Sequence, residues 1–495
     1  MEQEEIARVR YSRRPSIGVL LGITKAGMWT LGIAFGLVAV TAITKDLLQG
    51  LFMLFLVSPL IALGVGKKHG IAWTIWLIWA ARFNIRKAIG MTKFRKQIDV
   101  AQPIEHGVLK LGSSGTKLEI WEGPSGASVV WDPATQWASV SCMVATPGIA
   151  RHGNQVMEDR ERQGYTAGLM TVAGTWTRRA QVARVAWRER TRPGNVVREQ
   201  QHFETLAAHG LVADSYRETL ALAEQSAVAH PQMITITLDA AGRAGREVVK
   251  AHGGGKAGVL ALAELEMNTA TESLFKAGFT KVAWTSPREW GAWGRGIIDP
   301  VSEAAVDVRV DGAFAGVAPE LAGPIAIDEE KNHIETDSAV HRAYWISEFP
   351  RIEVLPGFMG EVAHASNYEG LPIRHALQLI ATPVSLDAAM RGIRDEKKTW
   401  EQNQHLKAER GSATTVADEV DFENIKARET DLVHGQGQLA WSGFIVVSGL
   451  DHDALLSACS SMEIAASGAD IELVKLTWQQ EAALFAMAYP AGKGM

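Results

Sequence analysis

Two short segments of the sequence contain residues of the kind that bind and hydrolyse nucleotides. The first is "AHGGGKAGVL", residues 251–260, in which three glycines precede Lys256. A phosphate-binding loop has the pattern G-x-x-x-x-G-K-[ST], because spaced backbone amides hold the phosphates and the final hydroxyl ligates magnesium. Here Lys250 stands at the position of the first glycine, and Ala257, which follows Lys256, cannot ligate a metal. The segment therefore predicts a break or a close approach in a helix rather than a nucleotide site.

The second segment is "GPIAIDEEKN", in which an apolar run ends in Asp328, Glu329 and Glu330. Such a strand end carries the magnesium-organising and water-activating acids of P-loop motors. Without a phosphate loop these acids have no nucleotide to serve, so we predict a solvated strand end. The open alternative is an NTPase whose divergent site uses "GGGK" and "IDEE", which labelled ATP would detect.

The rest of the chain contains no H-E-x-x-H motif, no G-x-S-x-G motif and no close cluster of cysteine and histidine. Its 14 histidines are scattered, and each is predicted to be an ordinary surface or core residue. The two cysteines, Cys142 and Cys459, are predicted to be small buried side chains in a reducing compartment. We therefore predict no catalytic residue, no cofactor, no metal and no enzymatic activity.

The charge of the chain is unevenly distributed. Residues 1–97 contain 14 Lys and Arg against 4 Asp and Glu, a net charge of +10, which leaves 36 against 51, or −15, for the remainder. Within this acidic remainder a strand-like run carries alternating arginines interrupted by Glu189. A solvated strand face is favoured there over a nucleic-acid surface for Arg184, Arg188, Arg190 and Arg192.

Hydropathy predicts a transmembrane helical hairpin over residues 26–66. Residues 26–44 form a stretch of 19 residues without charge, and residues 47–66 form another of 20. At about 1.5 Å per residue either stretch matches a hydrocarbon core about 30 Å thick. Basic residues flank both ends, so the basic N-terminus at 1–25 and the bulk of the chain are predicted to be cytoplasmic, with two spans in the inner membrane. A signal peptide followed by a spurious second segment is the weaker alternative.

The next segment, residues 67–97, combines tryptophan with basic residues. Its charge-free core at 70–81 is too short to cross a bilayer, which indicates an interfacial helix beside lipid headgroups. A helix buried against the hairpin is the alternative. The predicted membrane-interface residues are Lys67, Lys68, Trp73, Trp76, Trp79, Arg82, Arg86 and Lys87.

The remainder is predicted to be a mixed α/β cytoplasmic body of the α+β class. Short alternating runs at 98–150 indicate a β-rich subdomain with a short β-meander. Helices and strands then alternate through an α+β domain at 151–495, with a helix opened by Ser286, Pro287 and Glu289 as a capping box.

The order of elements in the second half resembles that of a known protein family. It is visible in "TDSAVHRAYWISEFPRIEVLPGFMGEV", in "LQLIATPVSLDAAMRGIRDEKK" and in the closing segment from "ETDLVHGQGQLAWSGF" to "AMAYPAGKGM". This layout resembles the N-terminal domain of the large ATPase of type IV secretion and conjugation systems. In that family the closing segment, here Tyr489 to Gly492, leads towards the motor domain. The whole chain is similar to an actinobacterial family of conjugation-associated membrane proteins that joins a two-span anchor to a motor-less ATPase-like domain.

The resemblance implies a structural or docking subunit of a type IV secretion-like conjugative DNA-transfer machine. The implied partners are a separate motor ATPase, other channel subunits and the lipid bilayer, in an oligomer or a large complex. Direct binding of nucleic acid stays open. The alternative function is a membrane component of a type VII-like protein export system, which also combines two spans with an α+β body.

Overall fold

The described residues form two compact units. The computed structural model describes residues 25–44, 47–96, 105–111, 116–145, 168, 172–194, 196–226, 228–307, 309, 315–350, 354, 358–409, 411, 413, 415–433 and 437–491. Within these, the small unit comprises residues 25–92 and 477–479, and the large unit comprises 93–476 and 480–491. The predicted basic segment 1–25 lies outside the described residues, except for its last residue.

The small unit contains three helices and a short β-hairpin. Helices α1 (Lys25–Thr44) and α2 (Leu47–Val65) pack side by side, as their apolar sequences predict. Strands β1 (Lys67–Lys68) and β2 (Ile71–Ala72) then pair around His69 and Gly70, which both have positive φ, as a two-residue turn between paired strands requires. Helix α3 (Trp73–Ala88) follows directly, and its last turn contains Arg86 and Lys87, whose charge suits a helix C-terminus.

The two predicted membrane spans are not supported by these helices. Across the part of the chain that the structure describes, no helix combines the length and the apolarity needed to cross a membrane. This finding overturns the prediction of a transmembrane hairpin at 26–66 and of a two-span location in the inner membrane.

The large unit is built on one broad sheet. In the described residues it contains fifteen strands, and every pair is antiparallel. Its main path runs β3-β12-β13-β14-β16-β15-β8-β10-β7-β6-β5-β4, while β11 pairs with β7, β17 with β14 and β9 with β8. The strands are β3 (Lys93–Arg95), β4 (Val108–Leu111), β5 (Thr116–Glu122), β6 (Ser128–Asp132), β7 (Trp137–Ala145), β8 (Val182–Pro193), β9 (Val228–Ala229), β10 (Gln232–Asp239), β11 (Lys281–Trp284), β12 (Ala326–Glu329), β13 (Ile334–Glu335), β14 (Val340–Glu348), β15 (His375–Val384), β16 (Gln438–Gly449) and β17 (Glu472–Lys475).

Helices connect these strands and cover the sheet. They are α4 (Val197–Thr205), α5 (Leu211–Ser226), α6 (Arg243–Ala251), α7 (Gly255–Lys276), α8 (Pro287–Ile298), α9 (Glu303–Asp307), α10 (Gly360–Ala363), α11 (Leu386–Glu409), α12 (Val416–Val433), α13 (His452–Gly468) and α14 (Gln480–Ala488). The mixed α/β class predicted for the body is confirmed, and so is the β-meander, which is β4 to β7.

The large unit contains the same arrangement twice. The first repeat (137–298) has the strand order β11-β7-β10-β8, and the second repeat (340–488) has the corresponding order β17-β14-β16-β15. In each, helical residues lie between the first and second strands, at 172–177 and in α10, and helices also lead from the third strand to the fourth. A further pair of helices is inserted between the second and third strands. Apart from this inserted pair, the order is the β-α-β-β-α-β arrangement of ferredoxin-like domains, extended by a final helix. The repeats meet where β8 pairs with β15, at a register that places Arg188 opposite Gln378.

Each repeat has its own apolar core. Helix α7 packs on β7, β8 and β10 through residues such as Leu262, Met267 and Leu274, which are buried against Val140 and Ile236. Helix α13 does the same in the second repeat, where Leu455 and Met462 contact the side chains of β14 and β16. A third, smaller cluster joins α11 to α12.

The final helices of the two repeats, α8 and α14, also contact each other. Trp290 donates from Nε1 to the carbonyl of Pro490 at 3.2 Å, and its ring lies 5.8 Å from that of Tyr489. Helix α8 begins with the predicted capping box, because Ser286 accepts from the amide of Glu289 and the Glu289 carboxylate accepts from the amide of Ser286. A methyl group at Gly294 would lie 2.5 Å from the Tyr489 ring, so the helices need glycine there.

Candidate docking surface

The three predicted interface tryptophans lie on α3 of the small unit. Trp76 and Trp79 meet edge to face with ring centroids 5.4 Å apart, and Trp76 also meets Trp478 of the same unit at 6.1 Å. Both are half-buried, whereas Trp73 is exposed. The structure therefore brings two of the three into one aromatic cluster and leaves the third at the surface.

The predicted basic residues lie around this helix. Lys67 and Lys68 are exposed on strand β1, and Lys68 Nζ lies 6.0 Å from the Trp76 ring. Arg82 and Lys87 are exposed on α3, where Lys87 Nζ lies 6.0 Å from the Phe83 ring, while Arg86 is half-buried. These contacts give α3 an aromatic side bordered by cations, and the role of the eight residues at a membrane interface stays a prediction.

Helices α1 and α2 expose a large apolar surface. Trp29 is 75% exposed, Phe52 is 65% exposed and Phe55 is 75% exposed. We use the term hairpin surface for the six exposed residues Trp29, Ile33, Phe35, Phe52, Phe55 and Leu56. Complete burial of one such side chain is worth about 1.5–3 kcal/mol, and contiguous exposed apolar patches mark interaction sites. The hairpin surface is therefore the strongest candidate for a binding surface in the small unit.

The "GGGK" segment has a structural role. Gly253 and Gly254 lie between α6 and α7, and Gly255 is the first residue of α7. All three have positive φ, which confirms the predicted break in a helix. A phosphate loop instead connects a strand to a helix. Lys256 is the second residue of α7, and its Nζ lies 5.0 Å from the ring of Trp121, which stacks on Trp131.

The "IDEE" segment is also occupied by structural contacts. Asp328 accepts a hydrogen bond from Lys93 at 2.7 Å. Glu329 is fully buried, and its carboxylate accepts from the amide of Glu481 at 2.9 Å in the first turn of α14. A negative charge at a helix N-terminus is favourable because of the helix dipole. The predicted solvated strand end is therefore wrong for Glu329, which caps a helix 152 residues away in sequence.

Arg188 and Arg190 of β8 are buried, contrary to the predicted solvated face, while Arg184 and Arg192 are half-buried. Arg190 forms an ion pair with Glu303 at 2.9 Å, and Glu303 also contacts Arg192 at 3.3 Å and Arg374 at 2.6 Å. Burial lowers the pKa of Arg190, and the charge of Glu303 opposes that effect. A methyl group at Gly296 would lie 2.4 Å from Arg190 Nη1, so glycine allows the approach. This ion cluster joins β8, α9 and the start of β15.

Arg188 has no acidic partner among the described contacts. It is 0% exposed, and Nη1 donates to Thr235 Oγ1 at 2.6 Å, while Nε and Nη2 have no hydrogen-bond partner. Burial lowers the pKa of Arg188 to about 9. A lone buried charge is costly. Its burial was not predictable from the sequence, because Arg188 looks the same as its neighbours in the arginine run.

Three histidines converge on the opposite face of the same strand. The rings of His230 and His364 lie 4.7 Å apart, and His230 Nδ1 lies 3.3 Å from Glu189 and 2.9 Å from Thr191 Oγ1. The pKa of His364 is lowered by burial and then by the neighbouring His230. His375 is buried nearby. The three are separated by up to 145 residues, so scattered positions in the sequence hid this cluster.

Comparisons with known proteins do not identify a family for this chain. A scan against protein-family models found no match, and a search of curated proteins found no similar sequence. The resemblance to the type IV secretion ATPase therefore stays a prediction from the sequence.

Proposed function

We propose that this chain is a docking subunit of a DNA-transfer machine of the type IV secretion kind. In this proposal the small unit binds an apolar helical surface of another subunit of that machine. The large unit takes the place of a motor's N-terminal domain and engages a separate motor ATPase. The DNA-transfer context comes from the resemblance of the second half of the sequence.

The hairpin surface is the observation that carries the docking role. Residues 26–44 and 47–65 contain no charged residue, so a partner gains nothing from charge complementarity there. An apolar partner surface would remove aromatic and branched side chains from water, at about 25 cal/mol for each Å² buried. In such interfaces a few large side chains carry most of the binding energy. Trp29, Phe52 and Phe55 are large exposed side chains of this kind.

The structural roles of the "GGGK" and "IDEE" segments support a non-catalytic large unit. Lys256 contacts Trp121, and Glu329 caps α14. Lys256 lies in the first turn of α7, and Glu329 lies on β12. The divergent NTPase site that these motifs suggested has no support in their contacts.

Affinity purification from the native host tests the proposal. The tagged chain would be compared with a Phe52→Glu/Phe55→Glu variant, and bound proteins would be identified by mass spectrometry. The matched control is Leu211→Glu/Val212→Glu, which adds the same charge at two exposed apolar residues of the large unit. We expect the wild type and the control to recover a P-loop motor and channel subunits, and the hairpin variant to lose the channel subunits.

Three outcomes would contradict the proposal. Recovery of small helical export substrates in place of a motor would favour the type VII-like alternative. Equal recovery by the hairpin variant would remove the docking role from that surface. Sedimentation of the wild type with lipid vesicles, without any partner protein, would assign the surface to lipid instead.

A further inference from the structure

Two histidines and a glutamate from separate elements converge at one edge of the large unit. His333 lies in the turn between β12 and β13, Glu335 lies on β13, and His452 is the first residue of α13. His333 and Glu335 are two residues apart, and alternate residues of an extended chain project to the same side. His452 is brought to them by the fold, 117 residues further along the chain.

The positions of the three side chains are set by local hydrogen bonds. The amide of Glu330 donates to the carbonyl of His333 at 2.9 Å and closes the turn, and Arg342 Nε donates to the carbonyl of Asn332 at 3.1 Å. On the other side, Asp451 caps α13 by accepting from the amide of Ala454 at 2.7 Å. The groups are therefore presented by a fixed turn and a capped helix rather than by a long loop.

The potential ligand atoms are close enough to share one ion. One atom from each of the three residues lies within 4.8 Å of the other two, and His452 Nε2 lies 3.0 Å from Glu335 Oε1. The two imidazole rings are nearly perpendicular, with centroids 4.9 Å apart. In a tetrahedral site with bonds of about 2.0–2.1 Å, neighbouring ligand atoms are about 3.3 Å apart. The glutamate and His452 already have that spacing, and the exposed His452 side chain has room to rotate.

We propose that His333, Glu335 and His452 form a binding site for one divalent transition-metal ion of the zinc class. Two imidazoles and one carboxylate suit zinc, cobalt or nickel, whereas magnesium and calcium prefer sites made of oxygen ligands only. Three protein ligands leave a fourth position for water. The ion joins the β12–β13 turn to the start of α13, independently of the proposed docking role.

Two neighbouring charges bear on the affinity. Glu330 adds negative charge beside His333, which favours a cation, while Arg342 opposes it.

Isothermal titration with zinc chloride tests the site directly. The full chain, purified with a tag that lacks histidine and dialysed against a chelator, is expected to bind one equivalent of zinc. His333→Ala and His452→Ala should each weaken that binding at least tenfold, since even outer-shell changes cost about 10–100-fold. His405→Ala, at an exposed histidine on α11, is the control and should bind as the wild type does.

Circular dichroism in chelator checks that each variant is folded. Cobalt substitution gives a second readout, because tetrahedral cobalt absorbs visible light and the His333→Ala/His452→Ala variant should lose those bands. The proposal is overturned if the wild type binds zinc no more tightly than the folded double variant, or if His405→Ala loses as much affinity as His452→Ala.

Discussion

In the first repeat of the large unit, strand β8 buries Arg188 and Arg190, whereas in the second repeat β14 and β15 bury His341 and His375. The strand order of the two repeats is the same. The first repeat also lines its sheet with hydroxyl pairs, such as Ser139 with Thr237 at 3.0 Å. The corresponding region of the second repeat presents larger apolar side chains, Trp345 and Phe444 among them.

The difference shows that one topology tolerates two ways of burying polar groups. An arginine stays charged, so the first repeat depends on Glu303 and on hydroxyl partners. A histidine can stay neutral, so the second repeat needs only hydrogen bonds, such as those between His341 Nε2 and Thr336 Oγ1 at 2.7 Å and between His341 Nδ1 and Ser448 Oγ at 2.8 Å. We therefore expect the first repeat to depend on its ion pairs and the second to depend on pH.

The largest effect is expected from removing Glu303, the acid shared by three arginines. Glu303→Gln leaves Arg190 buried with much of its compensation gone, and breaking such a cluster costs about 3–5 kcal/mol in the free energy of unfolding. Urea unfolding measures this. Glu247→Gln, which breaks an exposed pair with Arg243, is the matched control and should cost less than about 1 kcal/mol. Equal effects would mean that the buried cluster contributes no more than a surface pair.

Acid should weaken the second repeat through its two buried histidines. Burial lowers the pKa of His341 to about 3 and that of His375 to about 4. An unfolded histidine has a pKa of about 6.5, so below that pH the unfolded chain binds more protons and stability falls as pH falls. Between pH 7 and pH 5 each histidine should lower the free energy of unfolding by about 2 kcal/mol.

Urea unfolding at several pH values, in chelator, checks this dependence. A His341→Asn/His375→Asn variant should be less stable at pH 7 but should lose about 4 kcal/mol less than the wild type between pH 7 and pH 5. Identical slopes for the two proteins would show that the histidines do not produce the acid sensitivity.

Replacing the unpaired arginine should stabilise the first repeat. Arg188→Met keeps the volume of the side chain and removes a buried charge. Replacements of this kind can raise the free energy of unfolding by about 1–4 kcal/mol. Thr235 keeps its hydrogen bond to Ser141 at 2.9 Å. The measurement is again the urea midpoint, with the exposed Arg243→Met as control. A loss of stability in Arg188→Met would reveal a compensating partner for the guanidinium.

The smallest effect on stability is expected from a change at the helix break between α6 and α7. The second repeat has a single helix, α13, at the corresponding place. Lys256→Ala removes a cation over an aromatic ring at the surface, worth about 0.5–1 kcal/mol. Thermal unfolding measures that loss, and DNA transfer in the native host should continue at the rate of a Lys250→Ala control. If Lys256→Ala lost both DNA transfer and ATP binding, the "GGGK" segment would have to be interpreted as a nucleotide-binding site after all.

Local features of the fold were predictable from the sequence. The capping box at Ser286 and the helix break at Gly253–Gly255 depend on residues a few positions apart, and both are present. The duplication was not predictable, because the repeats share strand order and not sequence. The burial of Arg188 and Glu329 was missed for the same reason: each is decided by elements far away in the chain.

The candidate sites show the same contrast between features set by neighbouring residues and features set by residues far apart in the chain. The tryptophans of α3 were found through their spacing of three residues, while the histidine clusters join residues more than 100 positions apart. Hydropathy located α1 and α2 as helices but was wrong about the membrane, since an apolar run does not by itself identify what covers it. The partner of the hairpin surface is therefore the question on which the proposed function depends.

Photocrosslinking in the native host tests that function most directly. A benzophenone amino acid would replace Phe55 on the hairpin surface, and Tyr368, exposed in the large unit, would be the comparison site. The account predicts a crosslink from position 55 to a protein subunit of the transfer machine. Absence of any protein crosslink at position 55, with the chain present at its normal level, would contradict it.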